Sequence, residues 1–288
     1  MTTTTTRRIR LMALATALVV FIAVVWLAVV NHEHRTSYQE AQRLAAAGQT
    51  AAAYEIFHGL GDYRDAAAQA QALLDADPAL PYRSADKGEI ITFGAYEQDN
   101  DRANGAEPIQ WLVLDRIDDQ LLLLSVNCLD SRPYHATPFA AVTWETSDLR
   151  AWLNETFLQE AFTPSQQSLI VSTRNENADQ SPVGTDGGAE TTDRVFALSQ
   201  TDTVIYMHDA ADRDYLGRAP VTDYAATGQV HVDDDGMADW WLRSPGTYEY
   251  TAQYVAASGE PSISGAYVDA EYGVRPAVWL DTSAGGAQ

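Results

Sequence analysis

Apart from Thr16, apolar residues run unbroken from Leu11 to Val30; apolar positions then recur at helical spacing from Tyr38 to Leu60, and from Ile90 to Leu280 they fall in short, strand-length runs. The first stretch (LMALATALVVFIAVVWLAVV) holds 20 residues, which at about 1.5 Å each reach roughly 30 Å, the thickness of a bilayer core. A cleaved secretory signal has an apolar region of about 7–15 residues followed by a small-residue site. This one is longer and ends in Asn31-His32-Glu33-His34-Arg35, so the pattern predicts a transmembrane helix over 11–30. Arg7, Arg8 and Arg10 precede it. By the positive-inside rule, residues 1–10 are a cytoplasmic stub and everything beyond His34 lies outside, with Trp26 near the outer interface.

Over 36–77 the chain is rich in Ala, Gln and Glu, with apolar stripes at Tyr38, Ala41, Leu44 and Ala45 and at Ala53, Ile56, Phe57 and Leu60. Gly48 is expected to stop the first helix, Gly59 with Gly61 to break the second, and Asp62 to cap a third that runs to about Leu74 before Pro78. The segment 47–57 followed by 59–66 resembles the small helical-hairpin repeats related to tetratricopeptide units, and covers little more than one repeat. One such unit cannot bury both of its faces, which makes it a stalk that spaces the next domain from the membrane, or a docking surface. Residues 78–87 contain Pro78 and Pro81 and read as a linker.

The region 88–281 is long enough for a single core. Ile90, Ile91, Phe93 and Tyr96 mark an opening strand, and Gln110–Ile117 with Gln120–Val126 form a hairpin turning at Asp118-Asp119. Leu121 through Leu124 is apolar on both faces, the mark of a covered central strand. Helices are expected at Ser147–Phe157, at Pro164–Ile170 capped by Thr163, and at Gln200–His208 capped by Ser199. Residues 175–192 read as a surface loop. Strands are expected at Tyr254–Ala257 and Val274–Leu280, and residues 282–288 read as a flexible tail.

Composition narrows the function. Hydrophobic residues make up 46% of the chain, enough for a packed core. The 40 acidic against 18 basic side chains give a net charge of -22, which repels phosphate backbones and excludes nucleic acid as a partner. The single cysteine, Cys128, can form neither an internal disulfide nor, alone, a thiolate zinc site. No phosphate-binding glycine pattern and no Gly-x-Ser-x-Gly elbow is present, and His135, His208 and His231 match no helical zinc spacing.

A resemblance is carried by Gly94–Asn100, Glu107–Leu114, Thr143–Leu153, Trp240–Gly246 (WWLRSPG) and Val274–Leu280 (VRPAVWL). In this order they resemble a bacterial domain of unknown function numbered 6273, over nearly all of 88–281. The resemblance implies a fold similar to C-type lectins and to the formylglycine-generating enzyme group: a twisted mixed sheet with flanking helices and long loops. It implies no established chemistry. The enzymes of that group depend on cysteines, whereas Cys128 ends an apolar strand and is expected to be an inert buried thiol.

Trp240 and Trp241 are neighbours in a strand and face opposite sides, so one fills the core and the other is a candidate platform for stacking. Tyr248, Tyr250, Tyr254, Tyr267 and Tyr272 lie in the same third of the chain as Glu249, Glu271, Arg243 and Arg275. The ligand-binding candidates are Trp241, Arg243, Tyr248, Glu249, Tyr250, Tyr254, Tyr267 and Tyr272, with half-buried strand tyrosines on an ordinary sheet as the alternative. Arg243 and Arg275 each need a carboxylate or carbonyl partner, in a structural pair or in a ligand. Asp233, Asp234, Asp235 and Asp239 offer hard oxygen atoms to calcium but lack the spacing of a dedicated loop; a solvated loop is the alternative.

The sequence therefore reads as an α+β protein: an N-terminal transmembrane helix, a short helical stalk, and a C-type-lectin-like mixed sheet with flanking helices. The expected role is a non-enzymatic recognition protein anchored in the cell membrane by a single pass through residues 11–30, its C-terminal domain outside, binding a glycan, cell-wall component, peptide or protein. A non-catalytic envelope scaffold and a hydrolase of envelope glycans or peptides are the alternatives. No cofactor is expected, calcium at the acidic run being the one metal reading.

Overall fold

A computed structural model describes residues 2–207 and 216–283, with side chains described over 22–207 and 216–283. Two compact units result, Met1–Pro81 and Tyr82–Gln288.

In the first unit α1 (Thr2–Ala46) is one uninterrupted helix that contains the whole expected membrane span and continues into the stalk. Among the described residues no helix is long and apolar enough to cross a membrane; the first part of the expected span, 11–21, falls outside the described side chains. Gly48, at φ 77°, ends α1, and α2 (Thr50–Leu60) and α3 (Ala66–Ala76) follow. Tyr38, Ala41 and Leu44 of α1 pack with Ala53, Tyr54 and Phe57 of α2 and with Ala66 and Ala70 of α3 in one buried cluster. The residue at the start of α3 is Asp65, not the expected Asp62. Its carboxylate accepts a hydrogen bond from the Tyr38 hydroxyl and another from Gln69. The second helix also runs through Gly59 and stops at Gly61, whose φ of 52° favours glycine.

The second unit is α+β. Strands β1 (Ile90–Tyr96), β2 (Glu107–Ile117), β3 (Gln120–Ser125) and β11 (Ala277–Asp281) form an antiparallel sheet in the order β1-β2-β3-β11. The expected hairpin is present, with Ile117 opposite Gln120 and Asp118 at φ 53°, a conformation Asp tolerates in turns. Leu121 through Leu124 are all buried, so both faces of β3, which lies between β2 and β11, are covered. A second sheet has five strands: β4 (Asp130–Pro133), β10 (Glu271–Val274), β7 (Trp240–Pro245), β8 (Thr251–Val255) and β9 (Pro261–Tyr267). Their order is β4-β10-β7-β8-β9, with β10 and β7 parallel and the other neighbours antiparallel. A short ribbon, β5 (Thr173–Asn175) with β6 (Thr191–Asp193), closes the long loop.

The strand expected over Val274–Leu280 is in fact two strands in two sheets. Pro276 has no N–H to donate to a ladder, and the chain leaves the second sheet at Val274 and enters the first at Ala277. Ser125 N–H donates to the Pro276 carbonyl at this crossing.

Helix α4 (Asp148–Trp152) continues through a π turn, Leu153–Phe157, into α5 (Leu158–Ala161). Ser147 caps it by accepting the Arg150 N–H at 3.1 Å, and Leu149, Leu153 and Phe157 face inward. Trp152 is only half-buried and carries the Arg132 guanidinium 4.0 Å from its ring. Thr163 and Gln166 form a reciprocal capping box on α6 (Pro164–Leu169). Ser199 and Asp202 do the same on α7 (Gln200–Met207). The expected last residue of that helix, His208, lies outside the described residues.

Asp193 is the polar hub of this unit. It is 1% exposed and accepts from Trp144 Nε1, Asn175 Nδ2, Thr191 Oγ1 and Arg150 Nε. Thr143–Leu153 is thus tied to the β5–β6 ribbon by its Trp144 and Arg150, and the loop between the two strands hangs from a fixed base.

Candidate functional site

Neither tryptophan of the Trp240-Trp241 pair is a platform. Both are essentially fully buried; Trp240 Nε1 donates to the Gly217 carbonyl and Trp241 Nε1 to the Arg132 carbonyl. Alternation along β7 does send them to opposite faces, but both faces of this strand are covered. Tyr272 lies over Trp241, with ring centroids 4.4 Å apart, and Tyr254 packs on Tyr272 at 4.7 Å. Burial pushes the Tyr272 phenol up, with Tyr254 and Asp239 adding to it. Trp241, Tyr254 and Tyr272 are therefore a packed cluster, and of the three only the tyrosines are half-open to solvent.

Arg243 is also removed from any open face. It is 6% exposed, and its Nη1 donates to the Asp202 carboxylate at 2.6 Å and to the Ala197 carbonyl at 3.0 Å. This is the structural pair.

Tyr248, Tyr250 and Tyr267 form a row that is open to solvent, with Tyr250 half-buried between its two exposed neighbours. Tyr248 and Tyr250 stack with centroids 5.4 Å apart and planes 6° from parallel, and Tyr250 and Tyr267 at 6.0 Å and 19°. Phe139 stands edge-on to the row, 5.6 Å from Tyr250 and 5.3 Å from Tyr267. It is 66% exposed, and its φ of 55° is a strained backbone value for a side chain of this size. The β8–β9 pairing sets the row, since Thr251 lies opposite Tyr267. Sequence reasoning missed Phe139: an isolated Phe in a loop carries no periodic signal.

Glu249, exposed between Tyr248 and Tyr250, joins the row to a cleft. Its carbonyl accepts the Val142 N–H at 3.0 Å, and it lines, with Glu145, Asp186, Val142, Thr143 and Gly188, a space of 440 Å³. Among the described residues no Lys or Arg lines that space. The arrangement offers flat aromatic faces for stacking and carboxylates that accept hydrogen bonds from hydroxyl or ammonium groups.

Residues 118–282 match a domain of unknown function, DUF6273, and the match covers more than half of the 288 residues. The chain belongs to that family. No curated protein and no solved structure matches it. The DUF6273 match contains the segments at 143–153, 240–246 and 274–280 and begins after those at 94–100 and 107–114, although β1 and β2 share a sheet with β3.

The acidic run of this DUF6273 domain is engaged internally. Asp233 and Asp235 both accept from Arg218 Nη2, at 3.3 and 2.8 Å. Asp233 also takes the N–H groups of Asp235 and Met237, while Asp239 takes that of Ala257. These bonds make the run a self-capped loop, with Asp234 at its tip. The carboxylates that converge are others: Glu97, Asp99 and Glu107 bring ligand oxygens within 4.8 Å of one another. Burial pushes the Glu97 carboxyl up, and its neighbours Glu107 and Asp99 push it further. Such oxygens suit a hard cation. Glu97 follows β1 and Glu107 opens β2, ten residues apart in sequence, and only the pairing of Tyr96 with Glu107 brings them together.

Cys128 is fully buried. Burial pushes its thiol up to about 12, against the opposing pull of Arg275. His135 lies 3.1 Å from Asp148 and His231 lies 3.4 Å from Asp239. His208, the third histidine considered for a metal or catalytic set, lies outside the described residues.

Proposed function

We propose that this DUF6273 protein is a membrane-anchored recognition module whose binding face is the row Tyr248, Tyr250 and Tyr267 with Phe139, and whose ligand is a glycan or cell-wall component. The observation that carries the reading is the solvent-facing, nearly parallel tyrosine row, with Phe139 held at positive φ, beside an acid-lined cleft. Aromatic rings kept in solvent in spite of backbone strain mark a surface kept for contact. Sugar rings present apolar faces to stack and hydroxyls to donate, and the row and Glu249 supply both complements.

The anchor in this proposal is the helix over Leu11–Val30, and the domain lies on the outer side of the membrane. The described half of that segment supports it: Ile22, Val24, Val25, Trp26, Leu27 and Val29 are 45–63% exposed along α1, an apolar surface that lipid would cover. The α1–α3 unit acts as a stalk of tetratricopeptide-like form, and the second unit has the C-type-lectin-like fold.

The test is retention of the full chain, in detergent micelles, on isolated cell-wall sacculi and on a glycan array. Tyr250→Ala is expected to weaken retention at least tenfold while leaving the unfolding transition in place; unchanged retention would remove the face. Protease added to intact cells is expected to destroy a C-terminal tag, and a tag that survives with the membrane intact would remove the topology.

A further inference from the structure

A second cleft, sharing no residue with the aromatic row, lies beside Arg275. Its 470 Å³ is within the range of small-molecule sites, roughly 300–1,000 Å³. The walls are Ile90, Leu112, Val126, Leu216, Pro220 and Met237, and the charged residues that line it are Arg218 and Arg275. Arg218 is already answered by Asp233 and Asp235. Arg275 is not. It is 3% exposed, its Nε donates to the Ser125 carbonyl and its Nη1 to the Leu216 carbonyl, and its guanidinium lies 5.0 Å from the Trp240 ring. Among the described residues no carboxylate lies within 4.0 Å of it, and Nη2 has no hydrogen-bond partner. Burial pulls the group down to about 10, so it is a cation at neutral pH. Carbonyl dipoles and a ring face hold a guanidinium in place without neutralising it.

We propose that this cleft binds a single-chain amphiphile with a carboxylate head, the head pairing with Arg275 and the hydrocarbon tail lying along the apolar walls. Charge complementarity selects the head: of the two cations that line the cleft, Arg218 is paired and Arg275 has no carboxylate partner among the described residues, the rest of the lining is apolar, and a planar guanidinium matches a planar carboxylate. Ile90 is 52% exposed on β1, so the cleft has an accessible rim. The site goes beyond glycan recognition and does not depend on it.

The experiment uses the full chain in nanodiscs of zwitterionic lipid, labelled with ¹³C at the methionine methyls. The chain has 4 methionines, and of these Met237 lines the cleft. Sodium decanoate is expected to shift the Met237 signal saturably, and 1-decanol to need at least tenfold more. Arg275→Met is expected to weaken decanoate at least tenfold and to leave decanol unchanged. Ile90→Asp, a change at an exposed position, is expected to weaken decanoate similarly through charge repulsion, and decides the matter if Arg275→Met fails to fold. Equal responses to decanoate and decanol, or decanoate binding unaffected by Ile90→Asp, would overturn the proposal. Decyl phosphate binding tenfold tighter than decanoate would overturn the carboxylate head in favour of a phosphate.

Discussion

Arg243 and Arg275 look alike in the sequence: each sits in an apolar segment, WWLRSPG and VRPAVWL, and each is buried. Their surroundings differ. Arg243 meets the carboxylate of Asp202 at the first turn of α7, so its charge is closed within the fold. Arg275 sits where the chain crosses between the two sheets, where, among the described residues, the groups it meets are backbone carbonyls and a tryptophan ring. Apolar sequence context foretells that an arginine will be buried; what answers its charge depends on which other element folds against it. An ion pair is a finished structural device, whereas a buried cation held by dipoles can still take an anion.

Substitutions test this contrast. The largest effect is expected at Asp193, the counter-case of a buried acid with four donors. Asp193→Ala strands Arg150 and the Trp144 N–H, and is expected to cost about 4 kcal/mol, read as a lower urea midpoint. Arg243→Met leaves Asp202 without its cation, the Ser199 N–H remaining, and is expected to cost about 3 kcal/mol by the same measurement, discounted because Asp202 is partly exposed. Arg275→Met strands no acid and removes two carbonyl contacts, so about 1–2 kcal/mol is expected; a loss as large as that of Arg243→Met would show that the two sites are not different in kind.

Cys128, beside Arg275, adds a pH dependence. Its folded thiol titrates at about 12, against an ordinary value of 9.0. The unfolded chain therefore loses this proton first as pH rises. The contribution is fully present below pH 9 and is lost between 9 and 12, about 1 kcal/mol being gone by pH 10. Cys128→Ala is expected to flatten the alkaline arm of the stability curve, and an unchanged arm would show that the thiol is not shielded. The smallest stability effect is expected from Tyr250→Ala on the aromatic row, about 0.5 kcal/mol or less, with its consequence confined to binding. A large loss of stability there would make the row structural.

Much of the fold could be read from local chemistry. The hairpin at Asp118-Asp119, the covered strand Leu121–Leu124 and the caps at Thr163 and Ser199 all rest on neighbours within a few residues. The errors share another cause. Residues 274–280 read as one strand because the alternation is continuous, yet Pro276 marks the passage from one sheet to the other. The Trp pair read as half-exposed because alternation tells opposite faces but not whether both are covered. Asp65, not Asp62, starts α3, and its carboxylate takes the hydroxyl of Tyr38, 27 residues earlier in the chain.

Of the eight residues expected to bind, the structure keeps Tyr248, Glu249, Tyr250 and Tyr267 on an open face and packs Trp241, Tyr254 and Tyr272 together below solvent reach or at its edge. Arg243 is closed in an ion pair. Phe139, Glu97 and Glu107 could not have been chosen beforehand, since each gains its place from a partner in another strand or loop.

Periodicity, capping, turn chemistry and the excess of acid over base were written in the order of residues, because these depend on side-chain type and on spacing within a turn or two. Which aromatic rings meet water, which carboxylates converge and what answers each buried arginine came from the folded arrangement. Burial and electrostatics act through space, and residues distant in the chain supply the other half of every such contact.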